Sequence, residues 1–147
     1  MAAAIVLLLA AAVSATAQER DFAQVANPFQ DGYPYQVGDD LEPNVEVDGV
    51  RWRLLRITTK GDRDIEPDKN VPITVGLEFE NLRDDAVTVL VIVLLEDDLG
   101  NGLDRLRCDP PFKVAPGNLK ELQYKFKVKG RNLLGTRSLY VFCELQE

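Results

Sequence analysis

Apolar and polar residues alternate along most of the chain after residue 45, which is the pattern of half-buried β-strands. The clearest strand spans residues 71–80, where every second side chain is apolar and the others are polar, glycine or proline. The apolar set is Val71, Ile73, Val75, Leu77 and Phe79. Because Pro72 has no amide hydrogen to donate, we expect this strand to begin at a sheet edge.

A hairpin and a bulged strand are predicted just before it. Asp48-Gly49 tolerates the positive φ angles of a tight two-residue turn, and it joins residues 45–47 to a strand that begins at Val50. In this second strand the alternation slips at Leu54-Leu55. We therefore expect a β-bulge there.

Residues 87–95 are apolar on both parities, apart from Thr88. The length would suit a helix, but four valines and an isoleucine favour a strand, since β-branched side chains pack well on a pleated surface. A strand that is apolar on both faces is covered on both faces. We expect one side to face the core. The other side, with Leu90, Ile92 and Leu94, then needs the N-terminal part of the chain or a partner.

Three further strands complete the pattern. A short strand is predicted at 103–108 and a longer one at 122–128, with loops at Pro110-Pro111 and Pro116-Gly117 between them. The last strand, at 139–145, follows a turn at 132–135. About seven strands over roughly 100 residues, with no predicted helix, indicate an all-β fold, an immunoglobulin-like β-sandwich.

The first seventeen residues have the pattern of a signal peptide. An uncharged apolar run at 5–13 precedes Ala15 and Ala17, small residues at the −3 and −1 positions of a cleavage site. The run is shorter than the ~20 residues that a membrane-spanning helix needs. We expect export to the periplasm or the cell exterior, with no integral membrane segment in the mature chain; an uncleaved N-terminal anchor is the alternative.

Residues 18–44 are predicted to be an irregular arm ahead of a sandwich domain at 45–147. The arm contains three prolines and two glycines and shows neither the helical nor the strand period. It also has too many aromatic residues for a solvated linker: Phe22, Phe29, Tyr33 and Tyr35. We expect it to dock partly on the domain, and a free tail is the alternative.

The acidic charge of the protein is concentrated in this part of the chain. The sequence has 24 acidic and 17 basic residues, a formal net charge of −7. Residues 18–49 contain eight of the acidic residues and one basic residue, which leaves sixteen of each elsewhere. An acidic arm on a neutral domain points to electrostatic docking on its own sandwich or to a basic partner.

Catalytic and cofactor chemistry lacks its usual residues. The sequence has no histidine, and Ser138 is the only serine after residue 17, so a nucleophile activated by a neighbouring base is not expected. Neither G-x-G-x-x-G nor G-x-x-x-x-G-K occurs. Without histidine, and with Met1 as the only methionine, a copper or haem site would lack its usual ligands. We expect neither enzymatic activity nor a cofactor.

Cys108 and Cys143 are the only cysteines, and they fall in different predicted strands. In an oxidising compartment we expect them to form a structural disulfide. It would close a loop of about 35 residues, worth roughly 3–4 kcal/mol of stability. Two free thiols are the alternative.

Two clusters of oxygen ligands are candidate calcium sites. The first alternates along one loop, as Asp62, Asp64, Glu66 and Asp68. The second surrounds a turn, as Glu96, Asp97, Asp98, Asn101 and Asp104. The EF-hand pattern fails because Pro67 occupies its glycine position, and a solvated polar turn is the alternative for both.

Aromatic residues could instead stack on a sugar. Trp52 and Tyr124 lie between apolar neighbours of the same parity, which favours core packing, and the parity of Tyr140 leaves its face undecided. Tyr33 and Tyr35 in the arm are the better ligand candidates.

Lysines at 125, 127 and 129 alternate with apolar residues, which predicts a solvated outer strand face that also discourages edge-to-edge aggregation. The acidic net charge argues against a nucleic-acid partner for this stripe.

Three short patterns resemble bacterial secreted immunoglobulin-like domains, in particular the telokin-like exported domains. They are Val-x-Val-Asp-Gly-Val-x-Trp at 45–52, the alternating strand at 71–80, and Pro116-Gly117 ahead of a strand ending in Phe126-Lys127-Val128. The resemblance implies an extracytoplasmic, non-catalytic sandwich and transfers no functional residues.

These observations together predict an exported, non-catalytic domain that binds another protein or has a structural role in the cell envelope. Binding would use a strand edge, the loops or the arm. The alternative is a ligand-binding module for calcium or a glycan.

Overall fold

The computed structural model describes residues 29–61 and 64–146, so the predicted signal peptide and the first part of the arm lie outside it. The described residues form nine strands and one short helix. The strands are β1 (Asp31–Pro34), β2 (Asp40–Leu41), β3 (Val45–Val47), β4 (Val50–Thr59), β5 (Asn70–Asn81), β6 (Val87–Glu96), β7 (Gly102–Val114), β8 (Leu119–Lys129) and β9 (Ser138–Gln146). The helix, α1 (Gly130–Gly135), lies between β8 and β9.

Two antiparallel sheets enclose one hydrophobic core. Sheet A has the order β1-β9-β6-β7, and sheet B has the order β2-β4-β5-β8, with β3 also paired to β4. The prediction of an all-β sandwich is confirmed. Strands β3 to β9 are the seven that the alternation predicted, and β1 and β2 are added by the segment predicted to be an irregular arm.

Strand β5 shows how the alternation fills the core. Ile73, Val75 and Leu77 are at most 2% exposed. Val75 lies in register between Ile57 of β4 and Tyr124 of β8, and Leu77 lies between Leu55 and Leu122. Pro72 lies one residue beyond the last pair with β4, at the end of this ladder.

The hairpin and the bulge form close to where they were predicted. Asp48 and Gly49 have φ angles of 49° and 77°, which suit the tight turn between β3 and β4. The register of β4 against β5 shifts between Trp52 and Leu54, so the bulge lies at Arg53, one residue before the predicted position. There Trp52 Nε1 donates to the Leu54 carbonyl at 3.1 Å, which gives the indole N–H of a fully buried residue its partner.

Strand β6 is a strand, as its valines predicted, and β7 is longer than predicted. The loop predicted at Pro110-Pro111 lies inside β7, where three residues, 109–111, face Leu90 alone. Strand β7 is an edge strand, so prolines that lack an N–H are tolerated at this bulge.

The turn predicted at 132–135 is part of helix α1. A Cβ atom on Gly130 would lie 2.0 Å from the Glu66 carbonyl oxygen, so only glycine fits where the helix begins. The amides of Gly130 and Arg131 donate to the Lys69 and Pro67 carbonyls at 2.9 and 3.0 Å. The helix also buries Leu133, which closes this end of the core.

A row of aromatic rings crosses the core and involves both sheets. Tyr33 meets Trp52 edge-on with ring centroids 5.7 Å apart, and Trp52 stacks on Phe79 at 6.3 Å. Phe112 continues the row at 5.4 Å from Phe79, and Tyr124 ends it at 6.4 Å from Phe112. The row therefore joins strands β1, β4, β5, β7 and β8 through contacts of favourable geometry.

The described part of the predicted arm is built into the sandwich rather than following the irregular course expected for it. Phe29 and Tyr35 are 2% and 5% exposed. Strand β1 pairs with β9, β2 pairs with β4, and the Asp40 carboxylate pairs with Arg56. The Tyr35 hydroxyl donates to the Asp39 carbonyl at 2.6 Å and accepts from the Ile57 amide at 2.8 Å, so it ties this segment to β4.

This segment also forms an edge of each sheet. Strand β1 lies at the edge of sheet A beside β9, and β2 lies at the edge of sheet B beside β4.

We expect Tyr35→Phe to lower the free energy of unfolding by about 1–3 kcal/mol, because it leaves the buried Ile57 amide without its acceptor. Urea denaturation followed by the fluorescence of Trp52, the only tryptophan, measures the change. Tyr140→Phe is the matched control, since its hydroxyl bonds to no other described residue, and its effect should stay within about 0.5 kcal/mol. Equal effects of the two substitutions would contradict the role assigned to Tyr35.

Candidate functional site

The predicted disulfide between Cys108 and Cys143 is absent, and both cysteines are free and buried. Both lie in sheet A, and each is in register with Val91 of β6, one on either side. Two strand spacings separate their backbones by about 10 Å, beyond the ~7 Å limit for a bridge. The sequence placed them in different strands correctly, but it could not show that β6 lies between those strands.

The two thiols are also poor nucleophiles. Burial, with a smaller contribution from Asp109, raises the pKa of Cys108 to about 12. Burial, and then the neighbouring Cys108, raises the pKa of Cys143 further above its ordinary value. Both thiols therefore stay protonated near neutral pH.

Several of the carboxylates proposed as calcium ligands have other partners. Glu66 pairs with Lys69 at 2.6 Å and Asp68 with Arg131 at 3.1 Å, while Asp62 lies outside the described residues. In the second cluster, Asp97 accepts from the Leu99 and Asn101 amides, each at 2.9 Å, and the bonds from Asn101 lower its pKa. Within residues 29–61 and 64–146, no group of three or more carboxylates and cysteines is arranged to hold a metal ion.

The aromatic residues considered as sugar platforms are mostly engaged in the core. Trp52 is fully buried, and Tyr35, one of the favoured candidates, is 5% exposed with its hydroxyl bonded. Tyr33 packs edge-on against Trp52. Tyr124 ends the aromatic row, and its hydroxyl donates to the Pro110 carbonyl at 2.8 Å. Tyr140 is half-buried on the outer face of sheet A, which settles its undecided parity.

At one end, the outer face of sheet B carries charges that neutralise one another. Arg51 pairs with Glu46 at 2.9 Å and with Glu80 at 3.4 Å. Arg53 pairs with Glu78 and Glu80, each at 3.6 Å. Arg51 and Arg53 therefore belong to an ion-pair ladder on the solvent side of the sheet.

The outer face of sheet A has a different character, because its centre is apolar. Leu90, Ile92 and Leu94 of β6 point outward, as the sequence predicted. Ile92 is in register with Phe142 of β9, and Leu94 with Tyr140. We call these five residues the apolar face. Leu90 is 5% exposed, while the other four are half-buried and reach solvent.

Charged residues surround the apolar face. Arg105 and Arg107 of β7 lie in register with Leu94 and Ile92 on one side. Glu144 of β9 lies beside Leu90 on the other. Arg107 pairs with Asp109 at 2.9 Å, and Arg105 has no ion pair with any described residue. An apolar centre with a charged rim is the arrangement found in protein–protein interfaces.

The sequence identified one of the two strands that build this face. Tyr140 and Phe142 alternate with the buried Val141 and Cys143, so the last strand is also apolar on both parities, and that signal was present. That β9 lies next to β6 is decided by tertiary pairing between distant segments. The alternation within either strand does not predict that the two strands pair.

No protein-family model and no curated protein matches the chain. Among solved structures it is similar to the uncharacterized lipoprotein yajI from Escherichia coli, with 12% identity and a TM-score of 0.42, over 92% of this chain and 77% of that one. It is also similar to a beta-glucuronidase from glycoside hydrolase family 2, with 12% identity and a TM-score of 0.40 over 50% of this chain. The match spans 7% of that enzyme's chain. Both likenesses are too distant to carry a functional argument.

None of the described residues forms a helix long and apolar enough to cross a membrane.

We expect both thiols to be unreactive in the folded protein, because each is at most 1% exposed and held in its protonated form. A colorimetric disulfide reagent at neutral pH should titrate no thiol in the native state and both in urea. Protein isolated from cells and treated with an alkylating reagent before it is unfolded should give the same result, namely two titratable thiols in urea. If the unfolded protein offers no thiol without a reductant, the cysteines are bridged and the described geometry is contradicted.

Proposed function

We propose that the protein is an exported, non-catalytic β-sandwich domain that binds another protein through the apolar face of sheet A. The observation that carries this proposal is the pairing of Ile92 with Phe142 and of Leu94 with Tyr140 on the solvent side of the sheet. These four side chains are adjacent on neighbouring strands and only half-buried.

The contrast between the two outer faces supports a binding role for this one. An antiparallel sandwich normally has polar residues on its outer faces, and sheet B follows that rule with its ion-pair ladder. Covering apolar surface contributes about 25 cal/mol per Å². Burial of the apolar face under a partner stabilises the complex by this free energy and leaves the core behind the face unchanged.

The composition of the face also fits a protein partner. Tyrosine, phenylalanine and arginine are enriched in interfaces, and Tyr140, Phe142 and Arg105 meet here. The guanidinium of Arg105 at the rim has no ion pair with a described residue and would pair with a carboxylate of the partner. We therefore propose a partner surface with an apolar centre and acidic residues at one edge.

The sequence supports the remaining parts of the proposal. The absence of histidine favours a binding role over a catalytic one. The pattern at 1–17 favours export to the cell envelope. The resemblance to telokin-like secreted immunoglobulin-like domains agrees with both.

We expect a photo-cross-linking amino acid at position 94 to capture a discrete protein partner in intact cells. Position 119 is the matched control, since Leu119 is also a leucine, lies on sheet B and is 48% exposed. Mass spectrometry of the adducts identifies the captured chain. We expect a single adduct from position 94 and none from position 119.

A second pair of variants tests whether the apolar face is responsible. Ile92→Glu places a charge at its centre and should abolish the adduct from position 94, whereas Leu119→Glu should leave it intact. Circular dichroism and urea denaturation establish that both variants are folded. Equal adducts from positions 94 and 119, or an adduct from position 94 that survives Ile92→Glu, would rule the proposal out.

A further inference from the structure

A second surface, on the opposite side of the sandwich, is built as a trough. The outward residues of β5 are short or flat here, namely Pro72, Thr74 and Gly76, and they form its floor. The flanking strands carry longer side chains. Depressions of about 240 and 540 Å³ meet at Thr74 and make up this trough. The larger one lies within the ~300–1,000 Å³ typical of ligand sites.

Lysines line one end of the trough. Lys125 and Lys127 of β8 are in register with Thr74 and Pro72, and Lys129 is in register with Asn70. Successive outward residues on a strand are about 7 Å apart, so these ammonium groups form a regular row. Lys60 follows β4 on the opposite wall, about two strand spacings or 10 Å across the sheet.

The polar groups of this end have no partner within the described chain. Lys60, Lys125, Lys127 and Lys129 make no ion pair with a described residue, and the hydroxyl of Thr74, which both depressions share, makes no side-chain hydrogen bond there. The Thr58 hydroxyl and the Gln123 amide of the smaller depression also make none with a described residue. The other end of the trough is lined by Arg56, which pairs with Asp40, and by the carboxylates of Glu78 and Glu121. The trough therefore runs from an end of mixed charge to one where the lysines have no ion pair with a described residue.

We propose that this trough binds an acidic oligosaccharide, one whose sugar units carry carboxylate or sulfate groups. The lysine row would meet the anionic groups, while the threonine hydroxyls and the Gln123 amide hydrogen-bond to sugar hydroxyls. This site does not depend on the apolar face, which is on the other sheet.

Two other polyanions fit the trough less well. Extended peptides bind sheets by pairing with a free strand edge, but the floor strand β5 is already paired on both sides, to β4 and β8. Single-stranded nucleic acids combine a basic groove with exposed aromatic side chains for base stacking, whereas the one aromatic residue among the described lining of the trough, Phe126, packs partly buried against the core. Sugars need only side-chain donors and acceptors, which the trough supplies.

Isothermal titration calorimetry of the full chain tests the proposal with defined probes. These are a sulfated heparin octasaccharide, a carboxylated oligogalacturonate and neutral maltooctaose, with single-stranded DNA and a poly-glutamate peptide as competing polyanions. We expect one or both acidic oligosaccharides to bind and maltooctaose to give no binding heat. The affinity for the other polyanions should be at least about tenfold lower. Which acidic probe binds identifies the anionic group.

Three variants locate the site. Lys125→Gln with Lys127→Gln should weaken binding about tenfold, by loss of two charge-assisted contacts. Lys113→Gln with Lys120→Gln removes the same charge elsewhere and should change affinity less than about twofold. Gly76→Ile places a large side chain on the floor of the trough, which blocks it without changing the charge. Its Cβ would lie 3.7 Å from the nearest atom, the Arg56 carbonyl oxygen, so the strand accepts a side chain and binding should be lost.

Several results would overturn the proposal. One is that neither acidic oligosaccharide binds. Another is that DNA or poly-glutamate binds as tightly, which would indicate unspecific polyelectrolyte attraction. The third is that the two double variants lose the same affinity, or that Gly76→Ile binds normally while folded by circular dichroism.

Discussion

The stacking of Trp52 on Phe79 is the contact on which the rest of the structure depends. Both rings are fully buried, and the row that they begin extends to Tyr33 in one direction and to Phe112 and Tyr124 in the other. Rings from β1 and β7 of sheet A thereby pack against rings from sheet B. Because protein interiors are close-packed, we expect ligands to bind on the outer faces and edges rather than between the sheets.

The two outer faces have opposite chemistry, and each follows from the residues that alternate with the core. Strand β6 has apolar residues on both parities, so sheet A presents an apolar face with an arginine rim. Strand β5 places Pro72, Thr74 and Gly76 outward, so sheet B has a low floor between lysine-bearing walls. A domain that holds a protein on one face and an acidic glycan on the other would join the two, which is a structural role suited to a cell envelope.

Much of the fold was predictable from the sequence because period-2 alternation is a local property. The strand at 71–80, the turn at Asp48-Gly49 and the preference for strand at 87–95 all depend on neighbouring residues, and the structure bears out each of them. Features that depend on distant contacts were not predictable. Helix α1 requires the close approach of Glu66 to Gly130, and the separation of Cys108 from Cys143 requires β6 between them.

The candidate binding surfaces show the same division. The outward leucines of β6 were visible in the sequence, whereas Phe142 and Tyr140 join them through pairing across about fifty residues of chain. The lysine row was recognised as an outer strand face. The sequence could not show that this row forms one wall of the trough. The floor of the trough is β5 and its opposite wall is β4, and both are placed beside β8 only in the assembled sheet.

The central claim is that residues 29–44 and both sheets form one cooperative unit, which leaves the outer faces as the binding surfaces. Native-state hydrogen exchange tests it at two amides: Tyr35, which donates to the Arg137 carbonyl at 3.0 Å, and Ile57, which donates to the Tyr35 hydroxyl. The account predicts that both exchange with the same opening free energy as the slowest amides of β5 and β6. Exchange of Tyr35 and Ile57 at a much lower free energy, while β5 and β6 stay protected, would contradict it.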